Sequence, residues 1–221
     1  MIVTIDGSAG SGKSTVARKL AARLDVPYLD TGAMYRAVAY AALEKGVDFS
    51  GEQALLEVAR SVKLELDCGS TSTRVCVDGR DVSEAIRTMA VSAVTPHVAK
   101  CPAIREIFVE QQRRIGKRLG SFVSEGRDQG NVVFPDAEHK FVLDASLETR
   151  AERRLQELIA DGEDVSIEAV MYNLRLRDRT DSKQWQPLLE PGRVTMIDTT
   201  EMTVQEVTDR IAKLVSARSG P

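Results

Sequence analysis

The segment best suited to chemistry lies near the start of the chain, where residues 7–14 read GSAGSGKS and match the pattern G-x-x-x-x-G-K-[ST] in full. Glycines adopt backbone angles that are closed to other residues, so the chain can approach an anion closely. Successive N–H groups then surround phosphate oxygens, and a helix starting near Lys13 points its positive end at them. This spacing predicts a site for the phosphates of a nucleoside triphosphate.

Two side chains of this phosphate loop have predicted roles of their own. Lys13 should reach the β- and γ-phosphates, and the Ser14 hydroxyl should hold the Mg²⁺ that accompanies ATP. The residues predicted to bind ATP are Gly7, Ser8, Ala9, Gly10, Ser11, Gly12, Lys13, Ser14 and Thr15. The pattern alone does not separate kinases from GTPases and motor ATPases, because all of them share it.

The sequence around the loop supplies the elements that must position it. Residues 2–6 form a short β-rich apolar run, and Val16, Leu20 and Leu24 recur at helical spacing after the loop. Further along, apolar strand patterns alternate with helical ones, which predicts an α/β fold with a mostly parallel sheet covered on both faces. A length of 221 residues suits one such domain with insertions.

One stretch departs from this alternation of strands and helices. Residues 62–67 and 73–77 alternate apolar and polar side chains, and Asp78-Gly79 is a strong hairpin turn. We therefore expect a small antiparallel sheet inserted within roughly residues 46–86.

The charge distribution points to small anionic ligands. The net charge is −3, which argues against a general nucleic-acid-binding protein. Arginines nevertheless crowd into residues 105–118, 150–154 and 175–179, which suits a small and highly charged anion. Solvated helix faces with glutamate partners remain the alternative interpretation of these arginines.

Other functional classes find little support. Cys68, Cys76 and Cys101 form no CxxC pair, which argues against zinc or a disulfide framework and favours a reducing compartment. His97 and His139 are the only histidines and are too few for a histidine-based metal site or a Ser-His-Asp hydrolase. Without a signal-peptide or membrane-span pattern, we expect a soluble cytoplasmic protein with no membrane partner. No coiled-coil pattern is visible, so we expect a monomer.

Three further segments, together with the phosphate loop, carry a family resemblance. They are residues 30–36 (DTGAMYR), 125–135 (EGRDQGNVVFP) and 177–182 (RDRTDS). Over essentially its whole length the chain resembles the bacterial cytidylate kinases. The resemblance implies transfer of the γ-phosphoryl group of ATP to CMP or dCMP by a single kinase domain over residues 1–221. It also implies a five-stranded parallel core, a monophosphate-binding insertion over residues 31–100 and a short lid over residues 150–165.

The resemblance also assigns residues to the acceptor site. The implied CMP-binding residues are Thr31, Tyr35, Arg36, Arg87, Arg105, Arg127, Asp128, Arg177 and Asp181. Guanidinium groups match phosphate oxygens in a fork, so the arginines at 36, 87 and 127 are expected on the CMP phosphate. Asp128, with Arg105 nearby, is expected to read cytosine, because a carboxylate accepts from its amino group and is repelled by the carbonyl of uracil.

The implied catalytic residues are Lys13, Arg127, Arg153 and Arg154. The chain departs from the family pattern at Lys183, where an arginine is usual, and at Pro96, where a hydroxyl residue often stands.

Several residues keep a second interpretation. Asp30 either caps the following helix or acts near Mg²⁺, and Asp144 ends a buried strand as a metal-binding acid would. Tyr35 is either a pocket wall or a ligand contact, and Arg153 and Arg154 have glutamates at ion-pairing spacing. For the whole protein, the alternatives are a kinase for another acceptor such as UMP, AMP or shikimate, and a nucleotide-gated regulatory module.

Overall fold

A computed structural model describes residues 1–160, 162–189 and 194–218, with side chains at all of these except 180–184 and 218. A sheet of five parallel strands forms the centre, in the order β2-β6-β1-β7-β8. Its strands are β1 (Ile2–Gly7), β2 (Tyr28–Asp30), β6 (Phe122–Glu125), β7 (His139–Asp144) and β8 (Thr195–Asp198). The five-stranded parallel core implied by the resemblance is confirmed.

Eight helices surround this sheet in the described part of the chain. They are α1 (Lys13–Leu24), α2 (Thr31–Glu44), α3 (Glu52–Ser61), α4 (Met89–Lys100), α5 (Pro102–Leu119), α6 (Leu147–Ala160), α7 (Ile167–Trp185) and α8 (Val204–Arg218). One apolar cluster packs α1 and α8 against one face of the sheet, and a larger cluster packs α2 to α5 against the other face. Both faces are therefore covered, as the near-continuous apolar strands predict.

The predicted antiparallel insertion is confirmed. Its strands are β3 (Leu64–Cys68), β4 (Thr73–Val77) and β5 (Arg80–Asp81), joined in that order. The Asp78-Gly79 turn places both residues at positive φ, 51° and 81°, as a tight hairpin turn requires. Inward-facing residues of this small sheet share the larger apolar cluster with the central sheet. The small sheet thus packs on the body of the protein.

Side-chain and backbone contacts also tie the small sheet to the edge of the central one. The Tyr28 N–H of β2 donates to the carbonyl oxygen of Gly69 at 2.8 Å. The Thr73 hydroxyl donates to the carbonyl oxygen of Tyr28 at 2.5 Å. These contacts fix the inserted hairpin beside the strand that ends in Asp30.

Parallel pairing brings several carboxyl-terminal strand ends together. Asp30 lies opposite Glu125, and Glu125 lies opposite Ile5, one residue before Asp6. On the other side of β1, Gly7 lies opposite Leu143, which precedes Asp144. This edge of the sheet, where open α/β folds bind ligands, therefore carries a row of carboxylates beside the phosphate loop.

None of the helices in the part of the chain that the structure describes has the length and apolarity needed to cross a membrane. Of the residues predicted as a lid, 150–165, residues 150–160 belong to α6 and residues 162–165 precede α7. The division into insertion and lid stays a prediction.

Candidate active site at the carboxyl edge of the sheet

The phosphate loop has the backbone that an anion cradle needs. Gly7, Gly10 and Gly12 adopt φ values of 134°, 78° and 85°, in a region that side chains disfavour. A Cβ at Gly7 would lie 1.9 Å from the Leu143 carbonyl oxygen, so only glycine fits at this strand end. Gly12 provides no capping side chain for α1, and the first turn of α1 carries no acidic residue. The positive end of α1 is therefore suited to a bound anion.

Side chains hold this loop in place. Lys13 is buried, and its Nζ donates to the Ser8 carbonyl oxygen at 2.5 Å. The Ser8 hydroxyl donates to Asp144 Oδ1 at 2.5 Å, and the same carboxylate oxygen accepts from Ala145 N at 2.9 Å. Asp144, for which the sequence left a metal role open, is thus hydrogen-bonded to the phosphate loop.

Ser14 and Glu125 form a pair of oxygen groups suited to a hard cation. The Ser14 hydroxyl donates to Glu125 Oε1 at 2.9 Å, and the Tyr28 hydroxyl lies 3.4 Å from the same oxygen. No group of three or more His, Cys, Asp or Glu side chains within the described residues could cage a metal ion. The pair fits Mg²⁺, which keeps several waters and usually binds through one or two protein groups together with nucleotide phosphates.

Glu125 was not predicted as a site residue from the sequence, although it opens the segment EGRDQGNVVFP. The available signal was an acidic residue that ends the buried strand 122–125 beside the strand of the phosphate loop.

On the acceptor side, Asp30 gathers two of the arginines expected to bind phosphate. Its carboxylate accepts from Arg36 Nη2 at 2.9 and 3.1 Å and from Arg87 Nη2 at 3.1 Å. It also accepts from Ala33 N at 3.0 Å, so the capping interpretation of Asp30 is confirmed. Arg36 belongs to α2, whereas Arg87 ends the short turn Ala85–Arg87 that follows the small sheet. Asp30 thus brings together arginines that lie far apart in sequence.

The residues expected at the cytosine base also meet in the structure. Asp128 is buried and forms an ion pair with Arg105 of α5. The ring of Tyr35 lies edge-on to Phe108 with centroids 4.8 Å apart. Burial raises the pKa of the Tyr35 hydroxyl above its ordinary value, and the charge of Asp128 raises it further. Tyr35 is therefore a neutral group beside the Asp128–Arg105 pair.

Two further predicted residues, Thr31 and Arg127, donate to backbone carbonyl oxygens. The Thr31 hydroxyl is buried and donates to the Glu125 carbonyl oxygen at 2.7 Å. Arg127 Nη1 donates to the Gly126 carbonyl oxygen at 3.1 Å. Thr31 therefore joins α2 to the strand that bears Glu125.

The two arginines of the predicted lid, Arg153 and Arg154, have different surroundings. Arg153 donates to the hydroxyl and carbonyl of Thr199, at 3.1 and 2.6 Å, and to the Met202 carbonyl at 3.3 Å. It lines a cleft of about 210 Å³ with Ser11 and Gly12 of the phosphate loop. Arg154 forms an ion pair with Glu157 at 2.8 Å, as its second interpretation, pairing with a glutamate on the helix surface, predicted. Catalytic roles for the two arginines stay predictions.

The last predicted residues lie on α7. Arg177 is exposed on this helix. The side chains of Asp181 and Lys183 lie outside the described residues. The neighbouring Asp178, for which no role was predicted, accepts from the buried Arg150 at 3.0 and 2.8 Å. Arg150 also donates to the Ala9 carbonyl oxygen at 3.1 Å, so it links α7 to the phosphate loop.

At one edge of a five-stranded parallel sheet, the chain thus assembles a phosphate loop, a hydroxyl–carboxylate pair and, outside the loop, a cluster of two arginines on Asp30. This combination defines a P-loop kinase, a phosphotransferase with a second phosphate-bearing substrate.

Comparison with known proteins gives the family. The model of the cytidylate kinase family matches residues 3–217. The chain is 44% identical over 216 residues to the cytidylate kinase of Caldanaerobacter subterraneus, covering 96% of this chain and 93% of that protein. It is 44% identical over 219 residues to the cytidylate kinase of Geobacillus kaustophilus, covering 99% and 97%. The chain belongs to the cytidylate kinase family.

A solved structure supports the fold alone. An uncharacterized protein from Eubacterium ventriosum is 13% identical and superposes with a TM-score of 0.54, over 98% of this chain and 99% of that one.

Proposed function

We propose that this kinase transfers the γ-phosphoryl group of ATP to CMP or dCMP, giving ADP and CDP or dCDP, in pyrimidine nucleotide metabolism. Family membership over residues 3–217 supports the reaction. The observation that carries the proposal is the pairing of Arg36 and Arg87 on Asp30, outside the phosphate loop. A nucleotide-gated switch needs no second phosphate-binding cluster of this kind, whereas a monophosphate kinase does.

Recognition of the acceptor base falls to Asp128. Its carboxylate is buried beside Tyr35 and is held by Arg105. A buried carboxylate accepts a hydrogen bond from the amino group of cytosine, whereas the carbonyl oxygen of uracil at the same place repels it. UMP is therefore a poorer acceptor than CMP, and shikimate offers no base edge at all.

Catalysis rests on positioning and on charge. The transition state of phosphoryl transfer is loose, with charge spread over several oxygens, so no dedicated general base is required. Lys13 neutralises the β- and γ-phosphates, and Arg127 holds the acceptor phosphate in line with the donor. Mg²⁺, held by Ser14 and Glu125 together with ATP, would supply further neutralisation of phosphate charge. Closure of residues 150–165 and of the insertion excludes water, which would otherwise hydrolyse ATP.

The remaining assignments concern the setting of the enzyme. We infer a cytoplasmic monomer with small-molecule substrates and no nucleic-acid or membrane partner. The net charge of −3 supports the lack of a nucleic-acid partner. The three cysteines are unpaired thiols, which supports a reducing compartment.

The reaction is tested by measuring ADP release from Mg·ATP with CMP, dCMP, UMP, AMP, GMP and shikimate. Fast turnover with CMP and dCMP alone supports the proposal. Equal turnover with UMP would leave the kinase activity in place and reject base reading by Asp128. A slow ATPase that no acceptor accelerates would favour the regulatory module. Repeating the CMP assay with a chelator should abolish turnover, and activity without divalent cations would reject the Mg²⁺ assignment.

A further inference from the structure

Asp6 is a fully buried carboxylate that the mechanism above does not use. It is the last residue of β1 before Gly7 of the phosphate loop, and its exposed fraction is 0%. Its Oδ1 accepts from Gln129 N at 2.8 Å, and its Oδ2 accepts from Gly130 N at 2.8 Å. A buried charge is retained only where hydrogen bonds compensate its desolvation, so these two contacts account for the position of the carboxylate.

The clamped backbone directly follows the residue expected to read the base. Gln129 and Gly130 open the wide helical turn Gln129–Val133, which begins immediately after Asp128. The N–H groups of Val132 and Val133 return to the Asp128 carbonyl oxygen, at 2.8 and 3.1 Å. The backbone of Asp128 is therefore hydrogen-bonded to the turn that follows it. That turn is itself hydrogen-bonded to β1 through Asp6.

Packing leaves this turn little freedom to move away from β1. A Cβ added at Gly130 would lie 2.9 Å from Thr4 Oγ1 and 3.4 Å from Asp6 Oδ2. The Gln129 side chain is buried and accepts from the Ser124 hydroxyl at 2.7 Å, while its amide donates to Gln112 at 3.1 Å. The turn is thus held from β1, β6 and α5 at once.

We propose that Asp6 is a positioning residue for the acceptor base, because it clamps the Gln129–Gly130 backbone to β1 and thereby sets Asp128 relative to the phosphate loop. The donor site begins at the next residue of the same strand, Gly7. The end of β1 therefore continues directly into the phosphate loop, and the side chain of Asp6 at the same strand end holds the turn that follows Asp128. This inference rests on the proposed reading of cytosine by Asp128.

The chemistry of the clamp requires both oxygens of a carboxylate. Asparagine has nearly the same shape but only one oxygen, so its amide group would face one of the two backbone N–H donors. One hydrogen bond is then replaced by a contact between two donors inside the protein, a change on the scale of a lost buried hydrogen bond. Asp6→Asn therefore loosens the turn without changing the volume of the core.

The test compares kcat/KM for CMP and for UMP in four proteins: wild type, Asp6→Asn, Asp128→Ala and Asp144→Asn. Asp144 supplies the matched control, because its carboxylate also holds the phosphate loop, through Ser8, but does not contact the Asp128 turn. We expect Asp6→Asn to lower the CMP-to-UMP ratio by about tenfold, which corresponds to about 1.4 kcal/mol. The loss should lie mainly in KM for CMP, with KM for ATP changing less than about twofold. Asp144→Asn should raise KM for ATP and leave the CMP-to-UMP ratio as in wild type.

Three results overturn the inference in distinguishable ways. If Asp128→Ala lowers the ratio and Asp6→Asn does not, the clamp has no positioning role, although the base-reading proposal stands. If Asp144→Asn lowers the ratio equally, the effect of Asp6 is a general one on the phosphate loop. If Asp128→Ala leaves the ratio unchanged, the base-reading proposal fails and this inference fails with it.

A second variant covers the case in which Asp6→Asn does not fold. Gly130→Ala keeps the carboxylate but pushes a methyl group against Thr4 Oγ1, so it strains the same clamp from the other side. The CMP-to-UMP ratio should again fall, with thermal unfolding showing a folded protein. A folded Gly130→Ala enzyme with the ratio of wild type contradicts the proposal.

Discussion

Arg150 and Asp178 are joined by two parallel hydrogen bonds, 3.0 Å long from Nη1 and 2.8 Å long from Nη2. The arginine side chain is only 7% exposed, and it also donates to the carbonyl oxygens of Ala9 and Ala145. One guanidinium group therefore connects α6, α7, the end of β7 and the phosphate loop. Its planar fork suits this arrangement, and a lysine ammonium does not reproduce it.

Replacing this guanidinium should destabilise the protein. We expect Arg150→Lys to lower the free energy of unfolding by about 3 kcal/mol, because it leaves buried carbonyl oxygens and Asp178 incompletely paired. Urea denaturation measures the change. Arg154→Lys is the control, because its partner Glu157 is exposed and such pairs contribute at most about 1 kcal/mol. Equal effects of the two variants would mean that Arg150 does not connect these elements.

Asp30 offers a test of the arginine cluster. Asparagine is also a good helix cap, so Asp30→Asn keeps the contact with Ala33 N while removing the charge that gathers Arg36 and Arg87. We expect KM for CMP to rise about tenfold with KM for ATP unchanged, since the two arginines are proposed to bind the acceptor phosphate and not ATP. Steady-state kinetics with each substrate varied give both constants.

The control for Asp30 is Asp198→Asn at the end of β8, where the carboxylate accepts from Thr200 at an exposed site. That variant should retain both constants. A wild-type KM for CMP in Asp30→Asn would show that the arginines find the phosphate without the carboxylate.

Asp128 should decide between CMP and UMP. We expect Asp128→Ala to reduce the discrimination by about 1–3 kcal/mol, the scale of one good contact to a base edge. The measurement is the ratio of kcat/KM for the two acceptors. If the ratio is unaltered, another residue reads the base.

Lys13 should be indispensable for turnover. We expect Lys13→Ala to lower kcat by at least about a hundredfold, because the proposed role of its buried ammonium group is to neutralise charge on the transferring phosphate. Lys19→Ala, at an exposed position of the same helix, should behave like wild type. A Lys13→Ala enzyme with near-normal kcat would remove Lys13 from the catalytic set.

Asp6 should make the stability of the fold depend on pH. Burial raises the pKa of its carboxyl from 3.8 to about 7, although the N–H groups of Gly130 and Gln129 lower it in part. The folded state then binds the proton more tightly than the unfolded state does, so this contribution to stability is full below about pH 4 and is lost as the pH rises through 7. The loss is at most about 1.4 kcal/mol per pH unit.

The comparison with Asp6→Asn isolates this contribution, because every other titrating group is shared. We expect the melting temperature of wild type, relative to that of the variant, to fall between pH 5 and pH 8. A difference that stays constant over this range would show that the pKa of Asp6 is not raised.

Local patterns explain what the sequence could predict. The phosphate loop and the Asp78-Gly79 turn depend on backbone angles that neighbouring residues dictate, and the parallel sheet follows from the alternation of strands and helices. The resemblance added the five-stranded core and named Asp128 and Arg105, which the structure pairs.

The long-range contacts that organise the site could not be predicted from local sequence patterns. Asp6 meets Gln129 across 123 residues, and Ser14 meets Glu125 across 111. No periodicity records which carboxylate lies opposite which donor after the strands have paired. Arg153 shows the same limit, because its contacts with Thr199 depend on how α6 lies against the end of β8.

The contact between Tyr28 and the inserted hairpin has a consequence for solubility. β2 is a terminal strand of the central sheet, and terminal strands expose backbone groups on which a second chain can add a strand. The Gly69 carbonyl and the Thr73 hydroxyl occupy the outward-facing N–H and C=O of Tyr28. The inserted hairpin therefore blocks strand addition at this edge of the sheet, so deleting the hairpin would expose the edge of β2 to pairing with a second chain.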